Sequence, residues 1–342
     1  MHNTNIKSEF WRRYLDLVRD VLIPYQWGVL TDQIVCAEPS HAVRNFKIAA
    51  GAADGEFSGF VFQDSDLYKW LEAVGNVLQY QKDAELEKKA DEIISYIAKA
   101  QQPDGYLNTY FQLKEPEKKW TNLLECHELY CAGHLMEAAV AYAKGTGKIV
   151  LLQTACRLAD CIDRLFGWEE DKKHGYPGHQ EIELGLMKLY EWTKEPRYLK
   201  LASYFLEERG RNTYFEEEFE ERGRISHWTG GPVEEPNRYY NQYPYSYYNQ
   251  FHAPVRSQAE AVGHAVRAVY MYTAMAKAAA LCKDKELFYA CRELWNNITE
   301  KQMYINGSIG STPSGEAFTR AYDLPNDTNY SETCASVGLI RF

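Results

Sequence analysis

No apolar run in this 342-residue chain approaches the length needed to span a bilayer, so a membrane-spanning helix is not expected. Positive charge is also in short supply: 38 Lys and Arg stand against 48 Asp and Glu, a net charge of −10. Nucleic-acid binding depends on neutralising phosphates, so that class of partner is set aside. The segment MHNTNIKSEFWRRYLDLVRD has no uncharged apolar core and no small-residue cleavage site, and it does not read as a secretory signal. The eight cysteines, at 36, 126, 131, 156, 161, 282, 291 and 334, show no spacing that suggests a disulfide framework. These absences point to a soluble, cytoplasmic protein. With 45% hydrophobic and 25% charged residues the chain is ordinary for a globular protein, which excludes a disordered or collagen-like one.

What the chain has in excess is aromatic surface, with 26 Tyr and 8 Trp. Flat rings with one polar edge suit buried positions near water, and they also suit stacking on carbohydrate. Composition does not choose between the two. Most of the chain is patterned as amphipathic helix, with apolar residues recurring at three and four. Paired helices are expected at 66–81 and 84–101, 122–144 and 148–166, 178–193 and 196–209, and 256–282 and 284–299, preceded by a helix at 7–22. Each second helix places a small residue (Ala90, Ala155, Ala202 or Ala290) where neighbours must approach closely. Unequal spacing between the pairs argues for a toroid of hairpins with loop insertions, an all-α (α/α) barrel, over a regular solenoid, with an open right-handed superhelical repeat as the alternative. Residues 28–63 and 213–255 are expected to be loops; the second carries Tyr239, Tyr240, Tyr243, Tyr245, Tyr247 and Tyr248 around Pro244. Long loops of that kind usually carry function.

Three clusters compete for the chemistry. His127, Cys131 and His134 are spaced four and then three, which puts them on one helical face. That face is either a metal site or a polar stripe, and no fourth ligand nearby supports the metal. His174, His179 and His264 each lie near an expected helix start. Glu316 is followed by Asp323 and Asp327 and then by Glu332 and Cys334, two residues apart. A carboxylate and a thiolate at that spacing can share a zinc ion only where the backbone is extended or turning. The alternative is a first helical turn capped by Ser331, with the carboxylate favoured by the helix dipole.

At this last cluster GEAFT, YDLPND and SETCAS stand in order, and upstream lie SDLYKWLEA, QQPDGYLNTYF, HELYCAGHLMEAA, GYPGHQEIEL and AVGHAVRA. Together they make the chain resemble, over nearly its whole length, glycoside hydrolase family 127, the β-L-arabinofuranosidases. The resemblance implies a catalytic (α/α)6 barrel, followed in full-length members by β-sandwich domains. It also implies retaining hydrolysis of terminal β-L-arabinofuranosyl units by a zinc-held cysteine nucleophile. Carried over by motif, Glu316 would be the general acid/base, Glu332 and Cys334 two of four zinc ligands, and His134, His179 and His264 partners of the furanose hydroxyls.

One departure from the pattern stands out. The family's other two zinc ligands are an adjacent Cys-Cys pair, one of them the nucleophile, and this chain has no adjacent cysteines. The chain is therefore expected to be a single barrel domain, 1–342, cut before the barrel closes and before the β-sandwich domains. Such a piece would lack turnover, bind zinc weakly and aggregate or form homo-oligomers. Two rival readings accompany this one. An (α/α)-barrel hydrolase or lyase using carboxylates alone would draw on Asp323 or Asp327, and a non-catalytic remnant would bind carbohydrate without cleaving it.

Overall fold

Several helix starts in this protein are fixed by short polar side chains that accept orphaned backbone N–H groups. Asp83 accepts from Leu86 at 3.0 Å, Asn108 from Phe111 at 3.2 Å and Asp284 from Leu287 at 3.0 Å. The computed structural model describes residues 6–233 and 244–342. Among them the chain is helical, with isolated backbone bridges and no β-strand, as expected of an all-α fold. No helix among the described residues is long and apolar enough to cross a membrane. The helices group into two compact units, residues 1–117 with 134–161, and residues 118–133 with 162–342.

In the first unit α1 (Glu9–Leu17) continues through a π turn into α2 (Ile23–Leu30). There follow α3 (Ala42–Ala49), α4 (Asp64–Tyr80), α5 (Ala84–Ala100) and the short α6 (Thr109–Leu113). The stretch 28–63, expected to be loop throughout, thus contains a helix. Buried Val43 and Phe46 of α3 supply the three-residue step that its Gly- and Ala-rich surroundings obscure. Most of α7 (Glu128–Thr146) and α8 (Val150–Leu165) belongs to this unit as well. Helices α4 and α7 cross at glycine. A methyl group on Gly75 would lie 2.5 Å from the Tyr142 amide nitrogen, and one on Gly145 would run into the Gly75 carbonyl. At this crossing glycines set the interhelical distance, while Ala90 and Ala155, both fully buried, fill the outer helices.

The second unit holds α9 (Ile182–Thr193), α10 (Pro196–Glu208), α11 (Tyr214–Glu221), the single turn α12 (Tyr245–Tyr248), α13 (Ala265–Cys282), α14 (Lys285–Lys301) and α15 (Thr333–Arg341). Helix α11 falls in a stretch expected to be loop: five glutamates masked a short amphipathic pattern whose buried residues are Phe215, Glu218 and Phe219. Of the tyrosine run, Tyr239, Tyr240 and Tyr243 lie outside the described residues. Three helices begin later than their apolar pattern does, α7 at 128, α9 at 182 and α13 at 265. The residues trimmed from their starts, 122–127, 178–181 and 256–264, carry the site described next. Here too glycines set a crossing, since a methyl group on Gly185 of α9 would sit 2.6 Å from the carbonyl oxygen of Gly133 on α7.

Single methyl insertions at these crossings test the role of glycine. Gly75→Ala and Gly185→Ala should each destabilise the protein by roughly 1–3 kcal/mol through overpacking. Thermal denaturation would register that as a fall of several degrees in midpoint, and an unchanged midpoint would show that the helices can move apart freely.

Candidate active site

The segment Pro177-Gly178-His179-Gln180 enters the second unit's interior ahead of α9, and it is held by two buried arginines. Arg209 donates to the Pro177 carbonyl at 2.6 Å and the Asn249 carbonyl at 2.9 Å, and its guanidinium lies 3.6 Å from the Glu183 carboxylate. Arg267 donates to the Gly178 carbonyl and to Asn249 Oδ1, both at 2.6 Å, and packs over the Tyr248 ring at 4.9 Å. Gly178 in turn donates to the Leu123 carbonyl at 2.9 Å, which ties this segment to the turn 122–127. That turn is fixed from beneath by the buried Glu218 carboxylate, which accepts from the amides of Leu123 at 2.7 Å and Leu124 at 3.1 Å.

These constraints bring His127 and His179 together, with ring centroids 5.5 Å apart, and Tyr130 lies 4.4 Å from His179 on the same centroid measure. His264 is 5.7 Å from His179 by the same measure. The tautomers follow from the backbone. His264 is the N-cap of α13, and its Nδ1 accepts from the Val266 amide at 3.1 Å, so its proton sits on Nε2. His179 pairs its Nδ1 with the Gln180 carbonyl at 2.9 Å, so that nitrogen carries the proton and Nε2 is left as an acceptor. Burial pushes both imidazoles below their ordinary range, and the nearby Arg267 cation pushes the same way. Both are neutral near pH 7, one donating and one accepting toward the site.

Glu316 reaches His264 through a set of backbone stitches. Thr312 and Ala317 exchange hydrogen bonds at 3.2 and 3.1 Å, and the Phe318 amide donates to the Gly263 carbonyl at 2.9 Å. The amides of Tyr330 and Ser331 both donate to the Gly310 carbonyl at 3.1 Å. In the resulting arrangement His264 Nε2 lies 2.9 Å from one Glu316 oxygen, and the Tyr330 hydroxyl donates to the other at 2.6 Å. The His264 hydrogen bond, with that from Tyr330, holds the Glu316 carboxyl down at about 2 against the desolvation of its partial burial. Glu316 is therefore ionised at rest. One ligand atom each from His264, Glu316 and Glu332 lies within 4.8 Å of the others.

Glu332 precedes α15 with φ −59° and ψ 137°, so the backbone turns there and the helix begins only at Thr333. Ser331 is thus not the cap, and the turning geometry that lets a Glu-x-Cys pair share an ion is present. One Glu332 carboxylate oxygen is buried with no hydrogen-bond partner. An unsatisfied buried carboxylate oxygen beside other donors fits a cation. Cys334 follows in the first turn of α15, exposed and outside the 4.8 Å group. Asp323 and Asp327, the expected second carboxylates, are also outside it; the carboxylate beside Glu316 is Glu332.

The other histidines part company. His134 belongs to the first unit, where it forms a buried group with Glu72 and Glu137. His127 is the member of its motif that joins His179, and it has the strained φ of 33° that sites concentrate. Helical spacing hid this, because residue 127 lies one position before α7 begins. His174 is exposed and bonded to the Glu169 carbonyl.

Among the described residues an all-helical scaffold thus gathers a bridged carboxylate, neutral imidazoles and tyrosines at one site. The model of the GH127 β-L-arabinofuranosidase catalytic domain matches residues 3–342, and the chain belongs to that family. It is 44% identical, over 99% of its length and 53% of the relative's, to the non-reducing end β-L-arabinofuranosidase of Bifidobacterium longum subsp. longum. The solved GH127 β-L-arabinofuranosidase of Geobacillus stearothermophilus T6 is 56% identical and superposes with a TM-score of 0.93 over 99% of this chain and 52% of that one. A second solved GH127 β-arabinofuranosidase is 35% identical with a TM-score of 0.83, over 98% of this chain and 49% of the other. The chain has the (α/α)6-class fold of these catalytic domains, and it spans about half the length of the relatives it matches.

Glu218 offers a pH test of the turn that carries His127. Burial raises its carboxyl from 4.5 to about 7, against the lowering effect of the two amides. The folded state therefore holds this proton more tightly than the unfolded chain, and the associated stability is lost as pH rises from about 4.5 through 7. Glu218→Gln should flatten that part of the stability profile, with a change relative to wild type on the order of 2 kcal/mol between pH 5 and 8. Parallel profiles in urea unfolding would show that Glu218 does not titrate there.

Proposed function

We propose that this domain supplies the sugar-binding and acid/base side of a retaining β-L-arabinofuranosidase, acting on terminal β-L-arabinofuranosyl units of oligosaccharides or glycoconjugates. The observation that carries the reading is Glu316, bridged by His264 and Tyr330 beside the unsatisfied carboxylate oxygen of Glu332. His179 and His264, as neutral acceptor and donor, suit the hydroxyls of a furanose ring. His127 has the geometry for a third contact, whereas the motif-based assignment had placed His134 there.

In this reading Glu316 delivers a proton to the leaving glycosidic oxygen and later takes one from water. At rest it is held as a carboxylate, the form needed for the second task. For the first, the entering sugar must displace a donor such as the Tyr330 hydroxyl and shut out water, both of which raise the carboxyl's affinity for a proton. Glu332 and Cys334 would hold zinc together with ligands that residues 1–342 do not contain as an adjacent cysteine pair. Zinc, when bound, would keep a coordinated thiol in its nucleophilic thiolate form. The 342-residue chain alone is accordingly proposed to bind the sugar without turning it over.

A carboxylate-only mechanism is the second reading, favoured by the closeness of Glu316 and Glu332 oxygens within 4.8 Å. Carboxyl groups about 5 Å apart suit a retaining pair. Substitutions in the whole protein separate the two. Glu316→Gln should lower kcat by at least about a hundredfold in either case. Cys334→Ser should lower both zinc content, by elemental analysis, and activity if zinc holds the nucleophile. Full activity of Cys334→Ser without zinc would leave the carboxylate pair as the mechanism.

A further inference from the structure

Trp228 is a large aromatic side chain left 46% exposed next to this site, and the structure takes trouble to keep it there. Its indole stands at 80° to the His127 imidazole with centroids 6.1 Å apart. The loop that carries it is clamped by one buried carboxylate, Glu125. That group accepts from the Ser226 hydroxyl at 2.7 Å, the His227 amide at 2.9 Å and Arg222 at 3.1 Å. The loop also closes on itself: Ser226 donates to the Gly231 carbonyl at 3.1 Å, and the Trp228 amide donates to the Ser226 hydroxyl at 3.2 Å. Glu125 is coupled to the site from its other end, because its carbonyl pairs with His127 Nδ1 at 2.7 Å. One residue thus fixes both an imidazole of the site and the loop bearing the indole.

What sets Trp228 apart from the other exposed tryptophans is its anchoring: a buried carboxylate, costly to assemble, holds its loop so that the indole stands against an imidazole of the site. A flat apolar ring beside hydrogen-bonding imidazoles is what a carbohydrate ring needs: polar edges for its hydroxyls and a face for its C–H surface. We propose that Trp228 forms the stacking wall for the sugar on the leaving-group side of the cleaved bond, and so sets the preference for a glycosyl over a small aglycone. Glu125 is the positioning residue for that wall. The proposal rests on the glycosidase reading above and adds to it the side of the substrate that the terminal-sugar contacts do not recognise.

The test compares two substrates in the whole protein. Trp228→Ala should raise KM for a β-L-arabinofuranosyl disaccharide about tenfold more than it raises KM for methyl β-L-arabinofuranoside, equivalent to about 1.4 kcal/mol of selectivity. The loss should fall in KM more than in kcat, and Trp228→Phe should restore most of it, since a phenyl ring still stacks. Equal changes for both substrates, or none for the disaccharide, would overturn the proposal. If the wild-type protein cleaves neither substrate, the glycosidase reading fails separately, and calorimetric titration with the disaccharide decides the case. Binding that is lost in Trp228→Ala and kept in Trp228→Phe upholds the wall; absent binding by wild type, or equal binding by the alanine variant, removes it.

Discussion

Two guanidinium groups shut away from water hold the site's backbone in place. Arg209 and Arg267 meet at Asn249, one on its carbonyl and the other on its side chain, and between them they fix the carbonyls of Pro177 and Gly178. Burying a guanidinium costs several kcal/mol unless its hydrogen bonds are met, so each arginine stays inside only while those acceptors stay put. The dependence therefore runs both ways. The segment before α9 and the turn after α12 are irregular chain that would otherwise wander, and the arginines make their positions a condition of folding. Glu183 lies 3.6 Å from Arg209, whereas Arg267 hydrogen-bonds neutral acceptors, packs on the Tyr248 ring and acts through its charge on Glu316 as well. Its charge is thus projected onto its neighbours.

Burial first, and that projected charge second, set the state of the imidazoles. Burial alone disfavours protonated His179 and His264, and a fixed cation nearby pushes further in the same direction. Neutral imidazoles keep one donor and one acceptor each, and the backbone has already assigned which nitrogen does which. The result is a pair of groups with opposite hydrogen-bonding sense, suited to hydroxyls, which both give and accept. A charged pair would offer donors only and would repel each other at 5.7 Å between ring centres.

How much of this could be read from the sequence follows from the same physics. The helical pairs were legible because their burial is periodic, and the fold class followed from them. Helix starts were less so: apolar spacing runs on through 122–127, 178–181 and 256–264, where the chain is not α-helical, because these segments carry buried residues too. His134 was nominated by carry-over from the family motif, and the helical spacing of 127, 131 and 134 gave no reason to separate it from His127. Once α7 starts at 128 the turn takes His127 elsewhere. Glu316, His264 and Glu332 stood out in separate clusters, but only family resemblance gave them a common site, since 52 and 68 residues of chain separate the first from the second and the second from the third. Their meeting depends on backbone hydrogen bonds to Gly263 and Gly310 that no spacing rule encodes. Trp228 and Glu125 left no pattern at all, because a carboxylate that organises a loop 101–102 residues away has no local signature.

Among the described residues eleven besides glycine have a positive φ, and three of them belong to this site. His127, Glu316 and Ser331 have φ of 33°, 53° and 49°, in the left-handed region that side chains with a Cβ avoid. Each costs on the order of 1 kcal/mol or more relative to a relaxed turn, and a glycine at any of them would remove that cost. Glycine would also remove the imidazole, carboxylate or hydroxyl that the turn presents. The stitches through Gly263 and Gly310, the Glu218 carboxylate under the 122–127 turn and the buried arginines are what offset the strain. Stability is thus drawn from the surrounding helices and applied at three loop positions, where it fixes a carboxylate between two donors and leaves the neighbouring Glu332 with a buried oxygen still to be satisfied. Each of these three positions thus keeps a polar side chain where glycine would be the relaxed choice, and what the turn presents there is a hydrogen-bonding group beside an oxygen that has no partner within the protein.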